Sequence, residues 1–242
     1  MEIPKIIGHR GAAAAAPENT LAGLRAAAAL GVRVVEFDAE LTADRRCVLF
    51  HDERLERTTD GHGRVAETTF AEMSRLDAGS WFGAAFAGEG VPSLEAALAL
   101  VVELGLHPNI EIKPCGGRET ETAQAVMAVV AACWPKDRPP PMITSFKPAS
   151  LAVARAVAPA WPRGLNVHTF SPARWRRLDE LGCAFLNCNH RYLRRRQAAT
   201  VVASGLPLMA FTVNDPARAV RLRDWGVSTI ITDAPDRILP VV

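Results

Sequence analysis

The stretch "VVEFDAELTADRRCVLFH", residues 34–51, decides the fold. Two β-rich runs, "VVEFDAEL" (34–41) and "CVLFH" (47–51), are joined only by "TADRR". A parallel crossover needs a dozen or more residues, whereas so short a link makes a hairpin. Similar runs occur at 5–9, 109–113, 142–146, 164–167, 184–188, 208–213 and 229–232, for nine in all. Setting the hairpin arm aside leaves eight, alternating with alanine-rich segments of helical period. That pattern predicts the α/β class, a (β/α)8 TIM barrel with a small insertion after strand two.

The helices carry their own start and stop signals. Asn19 or Thr20 caps the first, Ser93 precedes "LEAALALVVEL", Ser171-Pro172 opens "ARWRRLDEL" and Asp215-Pro216 opens "ARAVRLRDW". Gly105, Gly182 and Gly226 stand where the last three should end. Residues 52–92 break the rhythm with "TTDGHGR" and "DAGSWFG" and have too few apolar residues for a separate core. They are expected to form an insertion over one barrel end, within a single domain spanning 1–242. The rival Rossmann sheet would want a GxGxxG turn after strand one, and "GHRGAAAAA" (8–16) is not one.

Composition narrows the class of function. The 242 residues are 49% hydrophobic and 22% charged with net charge +2, an ordinary globular balance. No apolar run approaches the roughly 20 residues of a membrane span, and "MEIPKIIGH" lacks the parts of a signal peptide. Five cysteines without a CxxC pair argue against a disulfide framework or zinc site and for a reducing cytoplasm. The densest basic run, "RYLRRR" (191–196), reads as a solvated helix face; no nucleic-acid partner and no stable membrane insertion are expected.

Barrel active sites lie at the C-terminal strand ends. Those ends hold His9 and Arg10, then Glu36 and Asp38, then His51, then Glu111 and Lys113. Glu36 and Asp38 are two apart on a strand, so their side chains share a face with Cα atoms roughly 6.5–7 Å apart. Three carboxylates converging in a barrel repel one another unless a cation sits among them, and all-oxygen ligation selects Mg2+ or Ca2+. Alternatively "EFDAE" is an exposed strand of alternating acids. His9 and His51 end strands beside carboxylates, as a general acid and base would. His62, His107, His168 and His190 lack such neighbours in sequence and read as surface or structural. A histidine pair, a hard cation and the charges of Arg10 and Lys113 suit cleavage of a phosphodiester.

"HRG…PENT", "EFDAEL", "VLFHDERLERTTDGHGRV", "LDAGSWF", "VPSLEAAL", "IEIKP", "TSF", "FTVND" and "IITDAP" follow in the order seen in the glycerophosphodiester phosphodiesterases. The resemblance covers residues 5–236. It implies a TIM barrel that hydrolyses small glycerophosphodiesters to sn-glycerol 3-phosphate and an alcohol. It likewise implies His9 and His51 as acid and base, Glu36, Asp38 and Glu111 as ligands of one divalent cation, and Arg10 and Lys113 on the phosphate. Two departures bear on the substrate pocket. Phe211 stands where such chains usually have Trp before "TVN", and "NCNHRYL" replaces the commoner Asn-Pro pattern, which would let His190 reach the alcohol side. Two rivals remain: a phospholipase D-like enzyme on lysolipids, which would want an apolar mouth where 52–92 offers Trp81, Phe82 and Phe86, and a non-catalytic barrel that binds phosphorylated ligands.

Overall fold

Strands buried on both faces need helices on one side and a filled barrel on the other, and both are found in the computed structural model, which describes residues 4–242. The first three residues of "MEIPKIIGH" lie outside that range. The strands are β1 (Ile6–Gly8), β2 (Val34–Leu41), β3 (Cys47–Leu49), β4 (His107–Ile112), β5 (Met142–Ser145), β6 (Arg163–Val167), β7 (Phe185–Asn189), β8 (Leu208–Phe211) and β9 (Thr229–Thr232). β1 pairs in parallel with both β9 and β2, which closes a barrel of eight. β3 stands outside it, antiparallel to β2 with Ala39 opposite Leu49, as the short link requires.

The helices are α1 (Leu21–Ala29), α2 (Phe70–Met73), α3 (Leu94–Glu103), α4 (Glu119–Cys133), α5 (Pro148–Val157), α6 (Pro172–Leu181), α7 (Arg195–Ala203), α8 (Pro216–Asp224) and α9 (Pro235–Ile238). Thr20, Ser93 and Asp215 each accept a backbone N–H at the start of α1, α3 and α8. The expected stops hold too, with Gly105, Gly182 and Gly226 at φ 68°, 60° and 88°. Among the described residues, no helix is long and apolar enough to cross a membrane.

Side-chain alternation builds the site directly on the barrel floor. Ile7, Val34, Met142, Phe185, Met209 and Ile231 form one apolar cluster that plugs the interior. A Cβ on Gly164 would lie 2.0 Å from the Phe185 ring, so that strand yields its space to the plug. Two residues further along each strand, on the same face, stand His9, Glu36, Thr144, Asn187, Phe211 and Asp233. One step of the pleat therefore converts a dry core into a polar mouth. Residues 52–92 lie against it, their Leu55, Val65, Met73, Ala78 and Val91 packing with Val48, Phe50 and Cys115. Their apolar side chains form a cluster with the β3 arm and the loop after β4.

Candidate active site

β1 ends at Gly8, and the chain then turns sharply. Arg10 takes φ 50°, uncommon for a residue with a side chain. This conformation accompanies a bond from the Arg10 backbone N–H to Glu36 Oε2 at 2.9 Å. Gly11 follows at φ 89°, where a Cβ would come within 2.5 Å of the Gly23 carbonyl carbon. Only glycine fits there.

Glu36 and Asp38 on β2 meet Glu111 on β4, the neighbouring strand, where Asp38 stands level with Glu111. One oxygen from each carboxylate lies within 4.8 Å of the other two. Burial, then Asp38 and Glu111, raises Glu36 well above the ordinary carboxylate range. Burial and Asp38 likewise push Glu111 up to about 8. Asp38 is also desolvated, yet Arg10, His51 and Lys113 outweigh that and hold it low. This is the signature of a cluster short of positive charge. Each carboxylate also has one oxygen held by an N–H: Glu36 by the Arg10 backbone, Asp38 by Asn19 Nδ2 at 2.9 Å, and Glu111 by Asn166 Nδ2 at 2.8 Å. Three oriented oxygen donors fit a hard divalent cation.

Both predicted histidines face this cluster, each with Nδ1 on an aspartate at 2.6 Å: His9 on Asp233 and His51 on Asp52. That bond orients each ring and leaves Nε2 toward the cavity. His9 Nε2 lies 3.9 Å from Glu36, and the Lys113 ammonium donates to His51 Nε2 at 3.0 Å. Burial, with the charges of Arg10 and Lys113, holds His51 below the usual imidazole range against the pull of Asp38 and Asp52. The Arg10 guanidinium sits between Glu18 (2.6 Å) and Asp38 (3.3 Å), so it balances carboxylates at the same time as it faces the cavity.

Arg57, from the insertion, ties these groups together. It donates to Asp52 through Nε and Nη2 and to Glu18 through Nη1 and Nη2, at 2.5–3.0 Å. A continuous chain of charges thus runs from His51 through Asp52, Arg57 and Glu18 to Arg10. Asp52, Asp233, Asn19, Asn166 and Arg57 all escape sequence reading, although Asp233 in "IITDAP" could have been found by extending the strand-end rule to β9.

A cavity of about 770 Å³ opens over the cluster, lined by every residue predicted for the site, Phe211 and His190 included. His168 lines it as well, against expectation, because it follows β6 and stacks on Phe146 at 4.6 Å and 24°. His62 is exposed, and His107 packs edge-on against Trp134, as surface and structural residues should. Glu40, the next inward acid on β2, is also in the lining; burial pushes it up to about 8, and the Cys115 thiol donates to it.

Fold and mouth together define a class, the (β/α)8 barrels with a histidine pair and a carboxylate cluster at the C-terminal strand ends. Within that class, the sequence pattern of the glycerophosphoryl diester phosphodiesterase family matches residues 9–237. The chain belongs to this family. A Bacillus subtilis relative, YhdW, is 34% identical, covering 97% of this chain and 96% of its own. The glycerophosphodiester phosphodiesterase of Caldanaerobacter subterraneus is 30% identical over 98% of this chain and 97% of its own. Among solved structures, an Oleispira antarctica phosphodiesterase in complex with the product sn-glycerol-3-phosphate superposes with TM-score 0.95, at 38% identity, over 99% of this chain and 96% of that one.

Proposed function

We propose that this enzyme hydrolyses glycerophosphodiesters to sn-glycerol 3-phosphate and an alcohol, with His51 as base, His9 as acid and one divalent cation, Mg2+ or Ca2+, held by Glu36, Asp38 and Glu111. The observation that carries this reading is the pair of imidazoles, each oriented by its own aspartate and facing one carboxylate cluster. The product bound to the Oleispira relative supports the substrate class. The cation supplies positive charge to the phosphate oxygens, and Lys113 and Arg10 add theirs from the rim. We place the enzyme in the cytoplasm, acting as one unit over 1–242; its five free thiols support a reducing compartment.

We assign the base to His51, whose Nε2 accepts from the Lys113 ammonium and which burial holds below the usual imidazole range. It takes the proton from the glycerol 2-hydroxyl, whose oxygen attacks phosphorus, and the bond to the leaving alcohol breaks. His9 gives that alcohol its proton. Water then opens the cyclic 1,2-phosphate with the two histidines exchanging roles. Intramolecular attack gains effective molarity that free water lacks. A substrate analogue without the 2-hydroxyl should therefore bind yet release almost no alcohol, whereas brisk hydrolysis of it would establish direct attack by water.

Arg57 acts through Asp52. Arg57→Met should lower kcat/KM by on the order of 10–100-fold, as loss of an orienting outer partner does. With its positive charge gone, Asp52 favours protonated His51 more strongly, so the acid limb of the pH profile should move to higher pH. Arg57→Lys should recover part of both. An unshifted limb in Arg57→Met would show that Arg57 only props the loop.

A further inference from the structure

The two halves of the cavity differ in charge. Six acids line it, Glu36, Asp38, Glu40, Asp52, Glu53 and Glu111, and all lie on β2, β4 or the loop after β3. From Pro114 onward the lining contains no carboxylate, but it does contain Lys147, His168, His190 and Arg191. The asymmetry extends through the chain: residues 138–214 carry eleven Lys and Arg against two acids, Asp179 and Glu180. Glu119, paired with Lys147 at 3.4 Å, Asp215, whose charge reaches His190, and Asp233, held by His9 and Asn214, do not line the cavity. "RYLRRR" is part of this arc, with Arg191 exposed at the mouth and Arg195 and Arg196 in the first turn of α7, where no acid answers them. Cations at a helix start are disfavoured by its dipole, so an anion nearby would stabilise the arrangement.

Hydrogen-bonding capacity lies in this half too, besides the amide of Asn109 on β4, unpartnered among the described residues. Thr144 Oγ1 and Asn187 Oδ1 line the cavity, are 1% and 2% exposed, and have no partner among the described residues. Open buried acceptors and hydroxyls suit a ligand that brings hydroxyl groups. Phe146, His168 and Phe211 pack on one another there, leaving Tyr192 as an exposed aromatic ring of the lining. One face of Phe146 is covered by stacked His168, Phe211 meets Phe146 at 86°, and no carboxylate lines the cavity beside them.

Resting on the function proposed above, we infer that the enzyme prefers glycerophosphodiesters whose leaving alcohol is itself anionic and hydroxylated, and that Arg191 is the specificity-determining residue that meets the added charge. The acidic half with its cation and histidines holds the scissile phosphate, and the basic half takes the alcohol. A cationic amino alcohol such as choline is repelled from that half by the same field.

The test compares bis(glycerophospho)glycerol, whose leaving alcohol carries a second phosphodiester, with glycerophosphocholine, by initial release of sn-glycerol 3-phosphate from the cation-loaded enzyme. After correction for its two equivalent ends, the anionic substrate should have kcat/KM roughly tenfold higher at low salt, the effect of two unit charges about 12 Å apart near a protein surface. The gap should close at about 1 M salt, where the screening length falls to about 3 Å. Arg191→Glu should cut kcat/KM for the anionic diester about tenfold or more and raise it for the choline diester. Equal or better turnover of glycerophosphocholine, or an Arg191→Glu effect that is the same on both, overturns the inference and leaves the function standing. Release of sn-glycerol 3-phosphate from neither substrate overturns both.

Discussion

Stripping divalent cations with EDTA should abolish hydrolysis, and Mg2+ or Ca2+ should restore it. Stabilisation of developing charge by several kcal/mol is lost with the cation, a fall on the order of 10³-fold. Glu111→Gln is nearly isosteric and keeps an oxygen for Asn166 Nδ2, so the barrel should be unaffected while cation affinity drops more than about a hundredfold. Calorimetry measures the affinity. Thermal unfolding supplies a second readout: added cation should raise Tm of the parent chain through binding to the folded state and should do little for Glu111→Gln. Full turnover by cation-stripped enzyme would remove the metal from the mechanism altogether.

Replacing either imidazole should be comparably severe. His9→Ala and His51→Ala should each lower kcat by on the order of 10²–10⁴. The profile of kcat/KM against pH should be bell-shaped. Its acid limb belongs to the base, which must be unprotonated, and since burial holds His51 below the ordinary imidazole value of about 6.5, that limb should lie below this pH. Activity therefore rises as pH increases through the lowered value and falls again as the acid loses its proton. A larger loss of kcat in His168→Ala or His190→Ala than in both of these variants would overturn the assignment.

How far the sequence reaches depends on how local the relevant contacts are. Helix caps, glycine stops and the hairpin between 41 and 47 involve neighbours along the chain, and each is found where the residues point. The convergence of Glu36 with Asp38 follows from the two-residue period of a strand, and the approach of Glu111 follows from the parallel pairing of β2 with β4. His51 and Asp52 show where such reasoning stops. Adjacent residues on a strand point to opposite faces, so extending the strand through His51 hides their bond. In the structure β3 ends at Leu49, and the two side chains meet in a loop at 2.6 Å.

The sequence by itself thus determined the barrel, the hairpin that keeps its strand count at eight, and the nine positions from which chemistry was expected. Those rest on periodicity, turn chemistry and residue type, which act over a few residues. Only closure of the barrel decided that Asp233 would hold His9 across 224 positions of chain, that Asn166 would orient Glu111, and that Arg57 would join His51 to Arg10 through two carboxylates. Closure also gathered the six lining acids on one half of the mouth, with Arg10 and Lys113 among them, and left Lys147 and Arg191 without a lining acid on the other. The physical reason is that such pairings depend on strand register and on which loop folds over which strand end, set by packing of the whole chain and by no local preference.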